Sequence, residues 1–216
     1  VGVDRTLQEL APLPGPGAME DLQALSGLTE LWELKLLEAP QLSSLAGLEI
    51  GLLSLELREL PALTSVGPLS LVDNPLLSST AGLSALASLR GGLSIIDNAL
   101  VSLEGLENLQ TLGELQVREE PYLTSLRGLD SLQAINNHVR FAENDALESL
   151  EGLDNLAEIG GALIVQKNPA LRSMEGLGGL RHLGGTLDLS QNPQASLEGL
   201  GGLSHLERLS IDDNGV

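Results

Sequence analysis

One phrase recurs along this chain, and its cleanest copy runs from Leu147 to Ala170, with the next copy starting at Leu171, a period of 24 residues. It reads Leu-Glu-Ser-Leu-Glu-Gly-Leu-Asp-Asn-Leu-Ala-Glu-Ile-Gly-Gly-Ala-Leu-Ile-Val-Gln-Lys-Asn-Pro-Ala. A fixed period of this size means a solenoid, because each copy is one coil that cannot bury its own apolar side and must stack on a neighbour. Copies start at Leu22, Leu42, Leu63, Leu77, Leu100, Leu123, Leu147, Leu171 and Gln194, spaced 20, 21, 14, 23, 23, 24, 24 and 23 residues apart. The expected fold is therefore mainly β: a right-handed solenoid of about nine coils over residues 22–216 carrying one continuous parallel sheet.

The core must be leucine. Apolar residues make up 42% of the chain, yet Trp, Tyr and Phe occur once each. Stacked thin layers suit such a composition better than one globular centre. Within each copy the L-x-I/V/L segment has the period of a strand. Its instances are 34–36, 55–57, 69–71, 93–95, 115–117, 139–141, 163–165, 187–189 and 209–211. At about 4.8 Å per strand these make a sheet roughly 40 Å long. The L-x-S-L segment is a candidate for a second short strand. Gly-Gly and Asn-Pro mark the corners, where positive φ and fixed φ are wanted.

After each strand an asparagine returns, at Asn74, Asn98, Asn144, Asn168, Asn192 and Asn214. An inward amide at a corner satisfies backbone groups of its own and the next coil, so this column reads as a structural ladder. Ala39, Leu60 and Glu120 stand in its place in other copies. A serine column reads as hydroxyls bonding nearby backbone. The third copy, Leu63 to Leu76, is too short for a whole coil, and a local distortion is expected there. Residues 1–21 do not repeat; a helix over Arg5–Ala11 capped by Asp4 and broken by prolines would form an N-terminal cap. No polar capping element follows the final strand, so self-association through an uncapped C-terminal coil is one expectation, and a longer parent protein is another.

The phrase Ile159-Gly-Gly-Ala-Leu-Ile-Val-Gln-Lys-Asn-Pro-Ala-Leu171, with Ser173-Met-Glu-Gly-Leu177 after it, resembles the receptor L domain and, more broadly, leucine-rich repeats. The resemblance covers residues 77–216 well and 22–76 loosely. It implies an extracellular or cell-surface, non-catalytic recognition module. The lack of cysteine and the Leu-Ala-Gly bias point to a bacterial relative of those receptor domains. No ligand-contact residue carries over, because the repeat fixes core positions alone.

Charge narrows the partners. Asp and Glu number 30 against 11 Lys and Arg, for a formal net charge of −19. Such a surface repels phosphate backbones and anionic lipid, so nucleic acid is excluded as a partner class. Polar residues interrupt the leucines every two or three positions, which argues against membrane insertion by this segment. The acids are also patterned. The second residue after each strand reads Glu38, Glu59, Asp73, Asp97, Glu119, Glu143, Lys167, Gln191, Asp213. Carboxylates one strand apart repel by roughly 0.9 kcal/mol even in bulk water. A solvated edge accounts for such a row; calcium bridging through Asp73, Asp97, Glu119 and Glu143, or docking of a basic partner, are the functional alternatives.

The outward face of the sheet is the natural recognition surface of a solenoid. There Arg58, Arg118 and Arg140, with Tyr122 near, form the best anchoring cluster, since Arg and Tyr dominate interface hot spots. Pairing of these arginines with Glu56, Glu119 and Glu143 is the plain alternative. His182 and His205 share one slot of adjacent copies and could share a metal, but two ligands without a third make a weak site, and surface histidines are the better reading. No catalytic or cofactor-binding signature occurs, and neither enzyme activity nor a cofactor is expected. The expected function is recognition of, or adhesion to, a protein or cell-surface partner. The competing expectation is a structural or assembly element, stacked through its open end or bridged by calcium. A carboxylate-based hydrolase ranks third.

Overall fold

A computed structural model describes residues 34–37, 68–83, 86–193 and 195–214. These form a mainly β, parallel β-solenoid of about six turns rather than nine. Among the described residues the one helical piece is a single 3₁₀ turn, Ala81–Leu83. The strands are β1 (Leu34–Leu37), β2 (Leu69–Asn74), β3 (Ser88–Asn98), β4 (Thr111–Arg118), β5 (Ala134–Ile135), β6 (Val139–Ala142), β7 (Glu158–Ile159), β8 (Leu163–Gln166), β9 (His182–Leu183), β10 (Thr186–Asp188) and β11 (Arg208–Ser210). The main sheet runs β1-β2-β3-β4-β6-β8-β10-β11, every pair parallel. The repeat sets the register: Leu93, Leu115, Val139, Leu163, Leu187 and Leu209 lie abreast.

Three expectations need correction. First, β1 pairs directly with β2, Leu34 against Leu69, so the sheet passes from one to the other with no third strand between. The strand expected at 55–57 and the cap expected over 1–21 lie outside the described residues. Second, the extra file of strands is not L-x-S-L. It is the dipeptide before the Gly-Gly position, which is Asn136-Asn137 in the coil of β5: β5, β7 and β9 stack on the first half of β4. The L-x-S-L segments cross to the next coil by a pair of hydrogen bonds, as Glu148 N to Thr124 O (2.9 Å) and Leu126 N to Glu151 O (2.9 Å).

Third, the glycine pairs do not supply the left-handed corners. They allow close approach: a Cβ on Gly160 would strike the carbonyl oxygen of Asn136 one coil away. Positive φ falls instead on the glycine of the S-L-x-G phrase, with φ 108° at Gly128 and 109° at Gly152. That conformation is essentially closed to residues with a Cβ, and here one would also collide with the Leu103 or Leu126 carbonyl.

The rest of each coil turns in steps of three. Leu129 N bonds Leu126 O (3.1 Å) and Leu132 N bonds Leu129 O (2.9 Å), and the same pair of turns recurs at 150–156 and 174–180. Successive i to i+3 turns bring every third side chain inward. The inward residues Leu123, Leu126, Leu129, Leu132, Ile135, Val139 and Phe141 are all fully buried, as are their counterparts one coil on. Burying each such side chain stabilises by about 1.5–3 kcal/mol before conformational entropy is charged.

Candidate functional site

At the end of each main-sheet strand from β2 to β11 the chain must leave the sheet and turn towards the next face. It does so through one residue in the left-handed region: Asp73, Asp97, Glu119, Glu143, Lys167, Gln191 and Asp213, with φ between 53° and 62°. These are the members of the acidic row within the described residues. The conformation costs an L-residue roughly 1–2 kcal/mol, least for Asp and Asn. It throws the side chain away from the core, which explains why the row is polar.

The next residue offsets that cost. Asn144 donates from its backbone N to Asn168 Oδ1 (3.2 Å) and from Nδ2 to the same oxygen (3.2 Å) and to Val117 O (3.0 Å). Asn168 repeats the arrangement on Asn192 Oδ1 (3.0 and 3.2 Å) and Phe141 O (3.2 Å). Asn74 Nδ2 reaches Asn98 Oδ1 (3.1 Å), and Asn192 N reaches Asn214 Oδ1 (2.6 Å). A buried column of amides thus runs across the coils and fixes every left-handed corner. Each bond contributes about 1 kcal/mol net, and breaking one strands a buried partner.

Glu120 occupies one rung. Its Oε1 accepts from Asn98 N (3.0 Å) and Asn98 Nδ2 (2.8 Å), its Oε2 from Leu100 N (3.3 Å), and its own N–H donates to Asn144 Oδ1 (3.1 Å). The side chain is fully buried. Desolvation pushes its pKa up to about 7, against the lowering effect of the bonds from Asn98 and Leu100. Sequence reasoning noticed the substitution without reading it as a buried titratable group. The signal was present: an acid in a column whose other members face inward.

Along the outer side of the left-handed corners lies an open groove of about 780 Å³. Asp97, Glu119, Glu143, Asp145 and Asp213 line it, with Pro121, Pro169 and Pro193 on its rim and Lys167 as the cation among its lining residues. Lys167 Nζ bonds Glu143 Oε1 (3.1 Å). That ion pair holds the Glu143 carboxyl below its ordinary pKa. Asp73, Asp97, Glu119 and Glu143 stand in a single file on successive coils. Among the described residues no three His, Asp or Glu side chains converge on a point that could hold a metal ion.

Elsewhere, acids serve the backbone or neighbouring arginines. Asp130 Oδ2 accepts from Gly128 N (2.8 Å) and Asp154 Oδ2 from Gly152 N (3.2 Å), both steadying the glycine turns. Glu151 pairs with Arg127 across coils (2.6 Å). The serines behave likewise: Ser149 Oγ accepts from Glu151 N (3.4 Å) and Ser173 Oγ from Glu175 N (3.4 Å).

The arginine cluster is only partly brought together. Arg118 on β4 and Arg140 on β6 lie on adjacent strands, diagonal in the register. Arg118 bonds the neighbouring Glu119 (3.0 Å). The Nε atoms of both arginines are buried without a hydrogen-bond partner. Tyr122 is exposed, but on the turn after Glu120 rather than on the sheet face. Arg58 lies outside the described residues. His138 accepts at Nδ1 from Ala162 N (3.0 Å), which ties it to the next coil.

No family model matches the chain, and no curated protein is a significant relative of it. Fold and site together define a class: a leucine-cored parallel β-solenoid with an acidic groove along its strand-end corners.

Proposed function

We propose that the chain is a non-catalytic, surface-exposed protein-recognition or adhesion module, right-handed and of the receptor L-domain kind. It acts outside the cell, and its corner groove takes a basic segment of a protein partner. The observation that carries this reading is the set of five carboxylates lining one groove against a single lysine. Their backbones are fixed by the amide column behind them, so a partner meets prearranged charge and little ordering cost falls on the site. A groove of this sign steers basic ligands and repels acidic ones.

Fluorescence anisotropy with a labelled Lys/Arg-rich peptide and its Asp/Glu counterpart tests the reading. The basic peptide should bind at low salt and weaken steeply as salt rises, while the acidic one should not bind. The triple variant D97N/D145N/D213N keeps residues tolerant of the left-handed corner at 97 and 213, and should weaken binding at least tenfold. Unchanged affinity in that variant, or loss of binding in R118A/R140A instead, would move recognition to the sheet face.

A further inference from the structure

Arg140 is a cation that its own chain leaves unpaired. It projects from the outward face of β6, since Val139 and Phe141 on either side of it are buried in the core. The acids of β4, β6 and β10, and of the corners after them, are engaged with other groups. Glu143 holds Lys167 (3.1 Å), and Glu119 holds Arg118 (3.0 Å). Glu114 takes Gln116 Nε2 (2.9 Å), and Asp188 takes Gln166 Nε2 (2.8 Å) together with Ser190 N and Oγ (3.0 and 2.6 Å). Among the described residues Arg140 makes no ion pair and no side-chain hydrogen bond. Its Nε is nonetheless buried, as is that of Arg118 on the neighbouring strand, and neither has a partner. A buried donor without an acceptor is costly, and native folds leave few of them. Two on adjacent strands point to a group that both would bind.

The two arginines flank one small residue. The register sets Ala142 between Arg118 and Gln166, with Arg140 two residues earlier on the same strand. Ala142 follows Phe141 and so faces outward, yet it is fully buried, which means that its longer neighbours fold across it. Both arginines lower the pKa of the Glu143 carboxyl through space, which brings their charges to the Ala142 end of the face. The Arg118 side chain is 28% exposed, so its outer end stays reachable while Nε is screened from water. We propose that the face above Ala142 binds a single carboxylate group, held by the Nε–H and Nη–H edge of Arg140 with Arg118 Nε–H beside it. A guanidinium edge presents two parallel donors that match the two oxygens of a carboxylate. An anion between the arginines also replaces their mutual repulsion by attraction. The net charge of −19 and the acids of the adjoining groove favour one lone carboxylate over a phosphate dianion or a run of Asp and Glu. The site stands apart from the groove reading, since it uses the opposite charge on another face.

Titration of the isotope-labelled full chain with acetate tests this, read by nuclear magnetic resonance on the arginine Nε–H signals against chloride at equal ionic strength. The Arg118 and Arg140 signals should move together on one saturable curve, while those of Arg127, Arg172 and Arg181 should not. R140Q should abolish the acetate-induced shift of Arg118. R140K keeps the charge but loses the paired donors, and should weaken acetate binding at least tenfold. A blocked peptide with one glutamate between lysines should move the same two signals, which tells a carboxylate carried on a protein from a free one. D97N/D145N/D213N should leave the acetate curve unchanged even where it weakens the peptide, so failure of the groove and failure of this site are told apart. Arginine signals that drift alike in acetate and chloride would overturn the proposal. So would phosphate saturating the two signals where acetate does not, or R140K binding acetate as tightly as the parent.

Discussion

Glu120 shows how one residue converts a passive column into a titrating one. An asparagine in its place both accepts and donates, whereas an ionised carboxylate accepts only. The rung's pKa of about 7 lies above the ordinary 4.5, so the folded state holds a proton that the unfolded chain gives up first. Its contribution is therefore fully present below about pH 4.5 and is lost as pH rises towards 7. The loss is at most about 3 kcal/mol. Urea denaturation at several pH values should show wild-type stability falling across that window. E120N restores an amide to the rung and should flatten the dependence relative to wild type. Equal slopes in the two proteins would mean that the remaining acids, not this one, set the pH response.

At the scale of the coil, legibility followed local period. The main strands could be read because L-x-I/V/L alternates and faces one way, and Leu115–Val117 and Leu163–Val165 lie inside β4 and β8. The second file could not: β7 is two residues, Glu158–Ile159, and its flanks run in turns of three that leave no alternation to detect. The left-handed corner was hidden for another reason. Asp73, Asp97 and Asp213 suit it, but Glu119, Glu143, Lys167 and Gln191 do not advertise it. Glycine had the opposite fault, since the conspicuous Gly-Gly pairs drew attention from Gly128 and Gly152, where φ demands it. G152A meets both a disallowed φ and the Leu126 carbonyl, and should cost about 3 kcal/mol or more in thermal or chemical unfolding. A Gly178 variant is the control, because a Cβ there meets open space. For the candidate site, the acidic row and the amide column were visible as columns. That the first sits on strained corners held by the second was not, because both depend on backbone angles.

For the whole molecule, stability is a sum over coil-to-coil interfaces set against the self-repulsion of a net charge of −19. Screening lengths shrink to about 10 Å at 0.1 M salt, so added sodium chloride should raise the melting temperature by a few degrees. Calcium wants six to eight oxygens in a cage, and a single file of carboxylates offers none. Calcium should therefore raise the melting point no more than magnesium at equal ionic strength. A calorimetric shift several degrees larger for calcium would show that carboxylates from different coils gather around the ion.

The offset between strand and amide has a bearing on how such a chain tolerates change in length. From Val117 to Glu120, from Phe141 to Asn144 and from Val165 to Asn168 the distance is always three residues, while whole coils differ by up to two between rungs, as from Asn98 to Glu120 and from Glu120 to Asn144. Insertions and deletions are thus expected to gather on the turn-rich outer arc. A residue added between strand and rung would throw every amide beyond it out of phase.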